Sequence, residues 1–277
     1  MKLPSQERVY AYSSTRNRQQ RFHSASVGKL LTASLIFMAI EEGRLSLDTR
    51  ISRILDPQTL SELFVVGDCD YQEAVTVEHL LSHKSGVNDY YSSHKIGRSA
   101  FVADMIEQPD VFWKPHDLLD YTRLRQKAVG QPGQTFFYSD TGYILLGLIL
   151  EKVFERSFGD VLEDRIFAPC RMLNTTLAFY DKRFEAEELA PFYVKGQDIH
   201  LNTSLSCDFS GGGLSTTAED LVTFLEALYQ GKVVSSVSLQ KMADFKHKFR
   251  SGLYYGMGMM QVRFGEFFFL LKKLPHL

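Results

Sequence analysis

A serine and a lysine three residues apart, Ser26 and Lys29, have the side-chain types and the spacing needed for nucleophilic chemistry. Residues at positions i and i+3 lie on one face of a helix, so the hydroxyl and the amine would be within reach of each other. An alcohol becomes a good nucleophile only beside a base. A helix N-terminus, with about +0.5 of an elementary charge, would also favour a forming alkoxide. The pair therefore predicts an activated serine, provided that Ser26 begins a helix.

The sequence around each pair must decide, because the same spacing recurs at Ser92–Lys95 and Ser238–Lys241. Only the first pair is followed by a broad apolar surface at helical spacing, over residues 30–40, which predicts a largely buried helix. Gly43 is the type of residue that usually lies just past a helix end. Ser92 lies in a polar tract typical of a loop, and Ser238 is predicted to open a short exposed helix.

Composition and charge exclude several classes of function. The 277 residues are 44% hydrophobic and 23% charged, as in an ordinary soluble globular protein, and can bury a sizeable core. A formal net charge of -2 gives no broad basic field for nucleic acid. The apolar run at residues 143–150 is far shorter than the roughly 20 residues of a membrane span. The first residues lack the apolar region of a secretory signal, so a cytoplasmic location is expected.

The three cysteines, Cys69, Cys170 and Cys207, are far apart and odd in number, which favours buried free thiols over a disulfide framework. Neither metal-ligand spacing nor a phosphate-binding glycine loop followed by lysine is found. We therefore expect neither a metal nor another cofactor.

The order of predicted elements indicates an α+β fold, an antiparallel sheet flanked by helices with an inserted helical lobe. Residues 1–45 and 205–277 are predicted to form the sheet lobe that carries the Ser26 helix, and residues 46–204 the mainly helical insert. Small-molecule sites often lie between such lobes. The predicted extended segments are 9–12, 175–180 and 189–194, followed by a strand pair, 254–264 and 266–271, around Gly265.

Two further segments could contribute to a site. Residues 210–214 contain three glycines, which predicts a turn whose dihedral angles only glycine tolerates and a close backbone approach. Tyr138 and Asp140 come just before a strongly helical stretch, residues 141–154. Asp140 could cap that helix or act in the site, and the residues alone leave both readings open.

Together these segments resemble the serine β-lactamase and penicillin-binding-protein superfamily, in its class C β-lactamase, D-alanyl-D-alanine carboxypeptidase and esterase branch. The resemblance covers roughly residues 22–265. Four segments carry it in the order and approximate spacing of that family: Ser26–Lys29, Leu80–Gly86, Pro132–Gly133 with Tyr138–Tyr143, and Gly211–Leu221.

The resemblance implies a serine hydrolase that forms an acyl-serine intermediate. The resemblance also implies that Ser26 is the acylated nucleophile, that Lys29 takes or shuttles its proton, and that Tyr138 is the phenolic base. The Ser26 N–H is the expected first oxyanion donor. Asp140, Gly212 and Gly213 are the expected substrate-binding residues.

This sequence departs from the family pattern at two places. Asp140 stands where the family most often has asparagine. A carboxylate cannot donate to a substrate carbonyl, and it would hold Lys29 protonated, so we expect Tyr138 or water to do more of the base work.

The family's third motif, His or Lys, any residue, then Gly, is not found before Leu277, although His276 lies near its expected place. Two readings follow. Either the sequence is a partial chain of a working enzyme, or it is a truncated protein with an incomplete sheet, an exposed edge that could pair with a second copy, and no second oxyanion donor.

Two functions from different classes remain open. The first is a hydrolase of an ester, a D-amino-acid peptide or a β-lactam. The second is a catalytically impaired or non-catalytic relative that binds a ligand or a partner. His83 and His23 are expected to be packing residues rather than bases. The sequence does not identify the substrate.

Overall fold

A computed structural model describes residues 20–93 and 101–266 of the chain. The predicted strand at 9–12, Lys95, the predicted strand residues 267–271 and His276 lie outside these ranges. The described helices, in chain order, are α1 Gly28–Glu41, α2 Pro57–Leu60, α3 Val77–Leu81, α4 Phe101–Glu107, α5 Pro115–Arg125, α6 Asp140–Phe154, α7 Phe158–Leu162, α8 Phe209–Gly212, α9 Ala218–Tyr229 and α10 Ser236–Met242.

The described strands are short and pair antiparallel. They are β1 Phe22–His23, β2 Val65–Val66, β3 Cys69–Asp70, β4 Thr176–Leu177, β5 Tyr193–Val194, β6 Gln197–Asp198, β7 Leu214–Thr216, β8 His247–Arg250, β9 Leu253–Tyr255 and β10 Met260–Val262. One three-stranded sheet has the order β1-β7-β4 and a second the order β10-β9-β8, while β2-β3 and β5-β6 are hairpins. The structure thus has the predicted fold class, with helices around small antiparallel sheets.

Helix α1 is buried on nearly every side, as its apolar run predicts. It packs against α6 and α8, and α6 is equally apolar, with every residue from Thr141 to Leu150 buried. Glu42 and Gly43 follow the end of α1, and Gly43 has a φ of 70°, the left-handed geometry expected just past a helix end. The core is therefore organised around the helix that Ser26 precedes.

Strand β4 joins β7 in the first sheet, although its residues lie in the range predicted for the helical insert. Thr176 pairs with Ser215 and Leu177 with Leu214. The chain therefore returns to this sheet once between the two predicted segments of the sheet lobe.

The last strand pair turns at a different position from the predicted one. The connection between β9 and β10 lies at residues 256–259, and not at Gly265. Gly258 explains this position because its φ is 75° and because a Cβ there would lie 2.4 Å from the Ala33 Cβ of α1. The turn therefore lies where the β9–β10 hairpin packs against α1.

The described part of the chain has no helix that is both long and apolar enough to span a membrane. Cys170 and Cys207 are buried free thiols, as predicted, but Cys69 is exposed because it lies in the β2–β3 hairpin.

Candidate active site

Ser26 lies in a 3₁₀ turn, Ala25–Val27, that leads directly into α1, so the predicted position before a helix is confirmed. Its side chain is exposed, whereas Gly28 and Lys29 beside it are buried. Ala25 has a φ of 46°, a left-handed conformation that is uncommon for a residue with a Cβ. The turn therefore holds Ser26 outward from the positive end of a helix that is otherwise interior.

Lys29 is almost fully buried, at 1% exposure, and is surrounded by acceptors. Its Nζ lies 3.5 Å from Ser26 Oγ, donates to Gly211 O at 2.7 Å and forms an ion pair with the Asp140 carboxylate. Burial alone would lower the pKa of Lys29, but Asp140 and Tyr138 outweigh it and raise the pKa far above the usual range. The amine is therefore charged at neutral pH, as expected for a carboxylate at position 140.

Tyr138 interacts with both Ser26 and Lys29. Its ring centroid lies 5.1 Å from Lys29 Nζ. Burial raises the pKa of the Tyr138 phenol, the charge of Lys29 opposes this, and the net pKa stays above its usual value. The three residues predicted for catalysis are thus brought together from a turn, a helix and a loop.

The loop that carries Tyr138 is held by His83, which follows α3. The His83 backbone carbonyl accepts a hydrogen bond from Phe137 N at 2.8 Å. The His83 side chain accepts another at Nδ1, from Ser139 N at 3.1 Å. The imidazole is 2% exposed and its centroid lies 4.3 Å from that of Tyr138. Burial lowers the pKa of His83 well below the usual value, so the ring is a neutral acceptor. These contacts support the expected packing role.

Ser139, and not Asp140, caps α6. The Ser139 side chain accepts from Gly142 N at 3.2 Å, and Asp140 is the first residue of the helix. The capping reading of Asp140 is therefore wrong, since its carboxylate is directed at Lys29. Its own N–H donates to Asp89 Oδ1 at 2.9 Å, which fixes the start of α6 against the segment that follows α3.

The glycine segment forms α8, a short helix, and not an irregular turn. Gly211, Gly212 and Gly213 lack left-handed φ values, so dihedral freedom does not explain them. A Cβ on Gly212 would lie 2.3 Å from Ala25 O, and one on Gly28 would lie 2.8 Å from Gly212 Cα. Gly28 and Gly212 are therefore explained by the close backbone contact between α8 and the Ala25–Val27 turn that holds Ser26.

Gly212 and Gly213, expected to bind substrate, are buried. A cavity of about 90 Å³ opens beside Ser26, and of the three glycines only Gly211 lines it. Its lining residues are Ala25, Ser26, Tyr91, Asp140, Phe192, Asp208 and Gly211.

Three of these lining residues were missed by sequence reasoning. Asp208 lies just before the glycine segment, and its position beside that motif was a usable signal. Tyr91 belongs to a tract predicted only as a loop, and Phe192 is in a segment predicted only as extended. Their spacing along the chain carries no signal of a shared cavity.

The other described S-x-x-K pair has a structural position. Ser235, and not Ser238, caps α10, and Ser238 is a buried residue whose hydroxyl lies against Glu41 at 2.5 Å. Lys241 lies in the last turn of that helix. This pair is therefore a helix-packing feature on the far end of α1.

Comparison with known proteins places this geometry in a family. The sequence model of the beta-lactamase family matches residues 5–269. A penicillin-binding protein of Bacillus subtilis (strain 168) is 28% identical over 239 residues, covering 78% of this chain and 47% of that protein. The chain spans about half the length of the curated relatives it matches first.

Solved structures agree with this match. The D-amino acid amidase from Ochrobactrum anthropi SV3, complexed with L-phenylalanine, has a TM-score of 0.78 and is 26% identical, with 95% of this chain and 74% of that chain covered. A D-stereospecific amidohydrolase from Streptomyces sp. has a TM-score of 0.75 and is 27% identical, with 90% and 73% covered. By its sequence match over nearly all residues and by its fold, this chain belongs to the beta-lactamase family.

Proposed function

We propose that this chain is a serine hydrolase that works through an acyl-Ser26 intermediate on an ester, an amide or peptide of a D-amino acid, or a β-lactam. The observation that carries the proposal is the convergence of Ser26, Lys29 and Tyr138 at the exposed start of a buried helix. The names of the similar amidases and penicillin-binding protein support this range of substrates.

In the proposed reaction Ser26 Oγ attacks the substrate carbonyl carbon. Its proton passes to the phenolate form of Tyr138, a minor form that the charge of Lys29 favours against burial. Lys29 keeps its own proton because Asp140 holds it charged. Tyr138 then gives its proton to the leaving group, and water activated by the same residue hydrolyses the acyl ester. The Ser26 N–H, at the positive end of α1, would stabilise the oxyanion.

Covalent labelling tests this proposal directly. A fluorescent fluorophosphonate, and in parallel a fluorescent penicillin, should label the protein, and Ser26→Ala should abolish the label. Ser238→Ala is the matched control, since it alters the other described S-x-x-K serine and should leave labelling intact. A folded protein that takes neither probe would instead favour the non-catalytic, ligand-binding relative.

We also propose that β10 mediates self-association. Within residues 20–93 and 101–266, β10 has a strand partner on one side only, and Met260, Val262 and Phe264 are 41%, 46% and 70% exposed. An apolar strand with an unpaired edge tends to pair with another chain.

A further inference from the structure

The cavity beside Ser26 is small and strongly acidic. Its volume of about 90 Å³ leaves room for a small head group only. Two carboxylates, Asp140 and Asp208, line it, and Asp208 interacts with Asp140, with the carboxylate of Asp89 and with a single amine, Lys29. The site therefore holds more negative charge than its own lysine can balance.

Two of the three carboxylates are already satisfied. Asp140 is the ion-pair partner of Lys29. Asp89 does not line the cavity, and its carboxylate accepts from the backbone N–H groups of Ser92 at 2.8 Å, Asp140 at 2.9 Å and Tyr91 at 3.3 Å. Backbone N–H donors stabilise a carboxylate without a cation. Asp208 is the remaining carboxylate of the three.

Asp208 lines the cavity with weak partners only. Its Oδ2 lies 3.4 Å from His23 Nε2, and its Oδ1 lies 3.8 Å from Cys207 Sγ. His23 Nδ1 accepts from Ala25 N, so Nε2 carries the hydrogen, and burial lowers the pKa of His23 to about 4. His23 is therefore neutral at pH 7. In the part of the chain that the structure describes, Asp208 forms an ion pair with no lysine or arginine.

The surroundings of Asp208 favour a positively charged ligand. Burial, with the charge of Asp140, raises the pKa of Asp208 to about 7. A cation bound in the cavity would restore the ionised form and gain an attraction that solvent screens little. Two aromatic residues, Tyr91 and Phe192, also line the cavity, and aromatic side chains suit an organic cation more than a hydrated one. Nor do the described residues contain three His, Cys, Asp or Glu side chains placed to hold a metal ion.

We propose that the acyl part of the substrate carries an ammonium group, which binds in this cavity with Asp208 as its counter-ion and with Tyr91 and Phe192 among the residues that line the site. The proposal rests on the proposed hydrolase function and narrows its substrates to amine-bearing acyl compounds of the amino-acid type. Asp208 is then a specificity residue that touches substrate, distinct from the Ser26, Lys29 and Tyr138 group.

Two matched substrates test the charge alone. In isobutyryl p-nitroanilide a methyl group replaces the ammonium of alanyl p-nitroanilide, and the alanyl compound is assayed as both enantiomers. At pH 7 the unaltered protein should show a kcat/KM at least about 30-fold higher for one alanyl enantiomer than for the isobutyryl compound, the lower end of what removing one partner of a buried charge pair costs. Asp208→Asn should remove this preference, mainly by raising KM for the preferred alanyl compound. Asp68→Asn, an exposed change in the β2–β3 hairpin, should keep the preference.

Fluorophosphonate labelling of each variant separates the possible failures. Equal turnover of the two substrates by the unaltered protein, or a preference that survives in a labelled Asp208→Asn variant, would overturn the role of Asp208 while leaving the hydrolase intact. An Asp208→Asn variant that loses labelling has lost its active site, and Asp208→Glu, which keeps the charge, must then retain the alanyl preference or the proposal is wrong. An unaltered protein that takes no label would overturn the hydrolase itself and this inference with it.

Discussion

At the scale of single residues, the substitution of aspartate for the family's usual asparagine at position 140 changes the resting state of the site. The Lys29 amine is held charged by a carboxylate, a carbonyl and a phenol. A charged amine donates and does not accept, so in the proposed mechanism Lys29 is an electrostatic partner of Tyr138 rather than the base. The residue types alone predicted this, because the effect of a carboxylate on a neighbouring amine does not depend on the rest of the fold.

Asp140→Asn should shift the pH dependence of turnover. Without the carboxylate, burial lowers the pKa of Lys29, and the pKa of Tyr138 falls as well because the charge of Asp140 raises it. Whichever of the two groups gives up its proton first would then do so at lower pH, so the rising limb of kcat/KM should move to lower pH by about one unit or more. The measurement is kcat/KM from pH 6 to 10 for both proteins. An unchanged profile would show that Asp140 has no part in the proton chemistry.

At the scale of elements, a backbone contact between the Ala25–Val27 turn and α8 sets the position of Ser26. Ser24 Oγ donates to Gly212 O at 2.7 Å, Thr32 Oγ1 donates to Ser210 O at 2.7 Å, and Ser210 Oγ donates to Tyr143 O at 2.8 Å. The hydrogen bonds join α1, α8 and α6 directly beneath the site. The position of the glycine motif was predictable from the sequence, but the reason for it was not.

Gly212→Ala should damage both stability and labelling. Its Cβ would meet the Ala25 carbonyl, a backbone group that cannot rotate away, so the nucleophile turn must shift. We expect a loss of about 1–3 kcal/mol of unfolding free energy, typical of overpacking, and at least tenfold slower fluorophosphonate labelling. Gly159→Ala is the matched control, because its Cβ would make only an ordinary 3.7 Å contact with Leu177. Equal labelling rates in the two variants would contradict this role of the contact.

At the scale of the whole molecule, much of the fold followed from sequence pattern. The buried helix α1, α6 and the fold class are as predicted because each depends on local periodicity. The register of the last hairpin and the cavity lining were not predicted. Gly258 turns where it meets α1, and Tyr91, Phe192 and Asp208 meet only in three dimensions. Long-range contacts of this kind leave no periodic trace in a single sequence.

Self-association through β10 would be a property of the whole chain. Val262→Lys places a charge on the exposed edge and should shift the protein toward monomer, because charged edge residues oppose strand pairing. Light scattering over a concentration series should show a mass that rises with concentration for the unaltered protein and rises less for the variant. Gln230→Lys, an exposed change at the end of α9, is the control, and an equal effect there would show that the β10 edge is not involved.

The bond between Ser24 and Gly212 joins residues 188 positions apart in the chain. Local helix formation can therefore complete α1 long before the turn in front of it acquires its final shape. During synthesis, the serine would remain an ordinary hydroxyl until the glycine helix had left the ribosome and docked. The proposed reactivity of Ser26 thus depends on the docking of a segment 188 residues further along the chain.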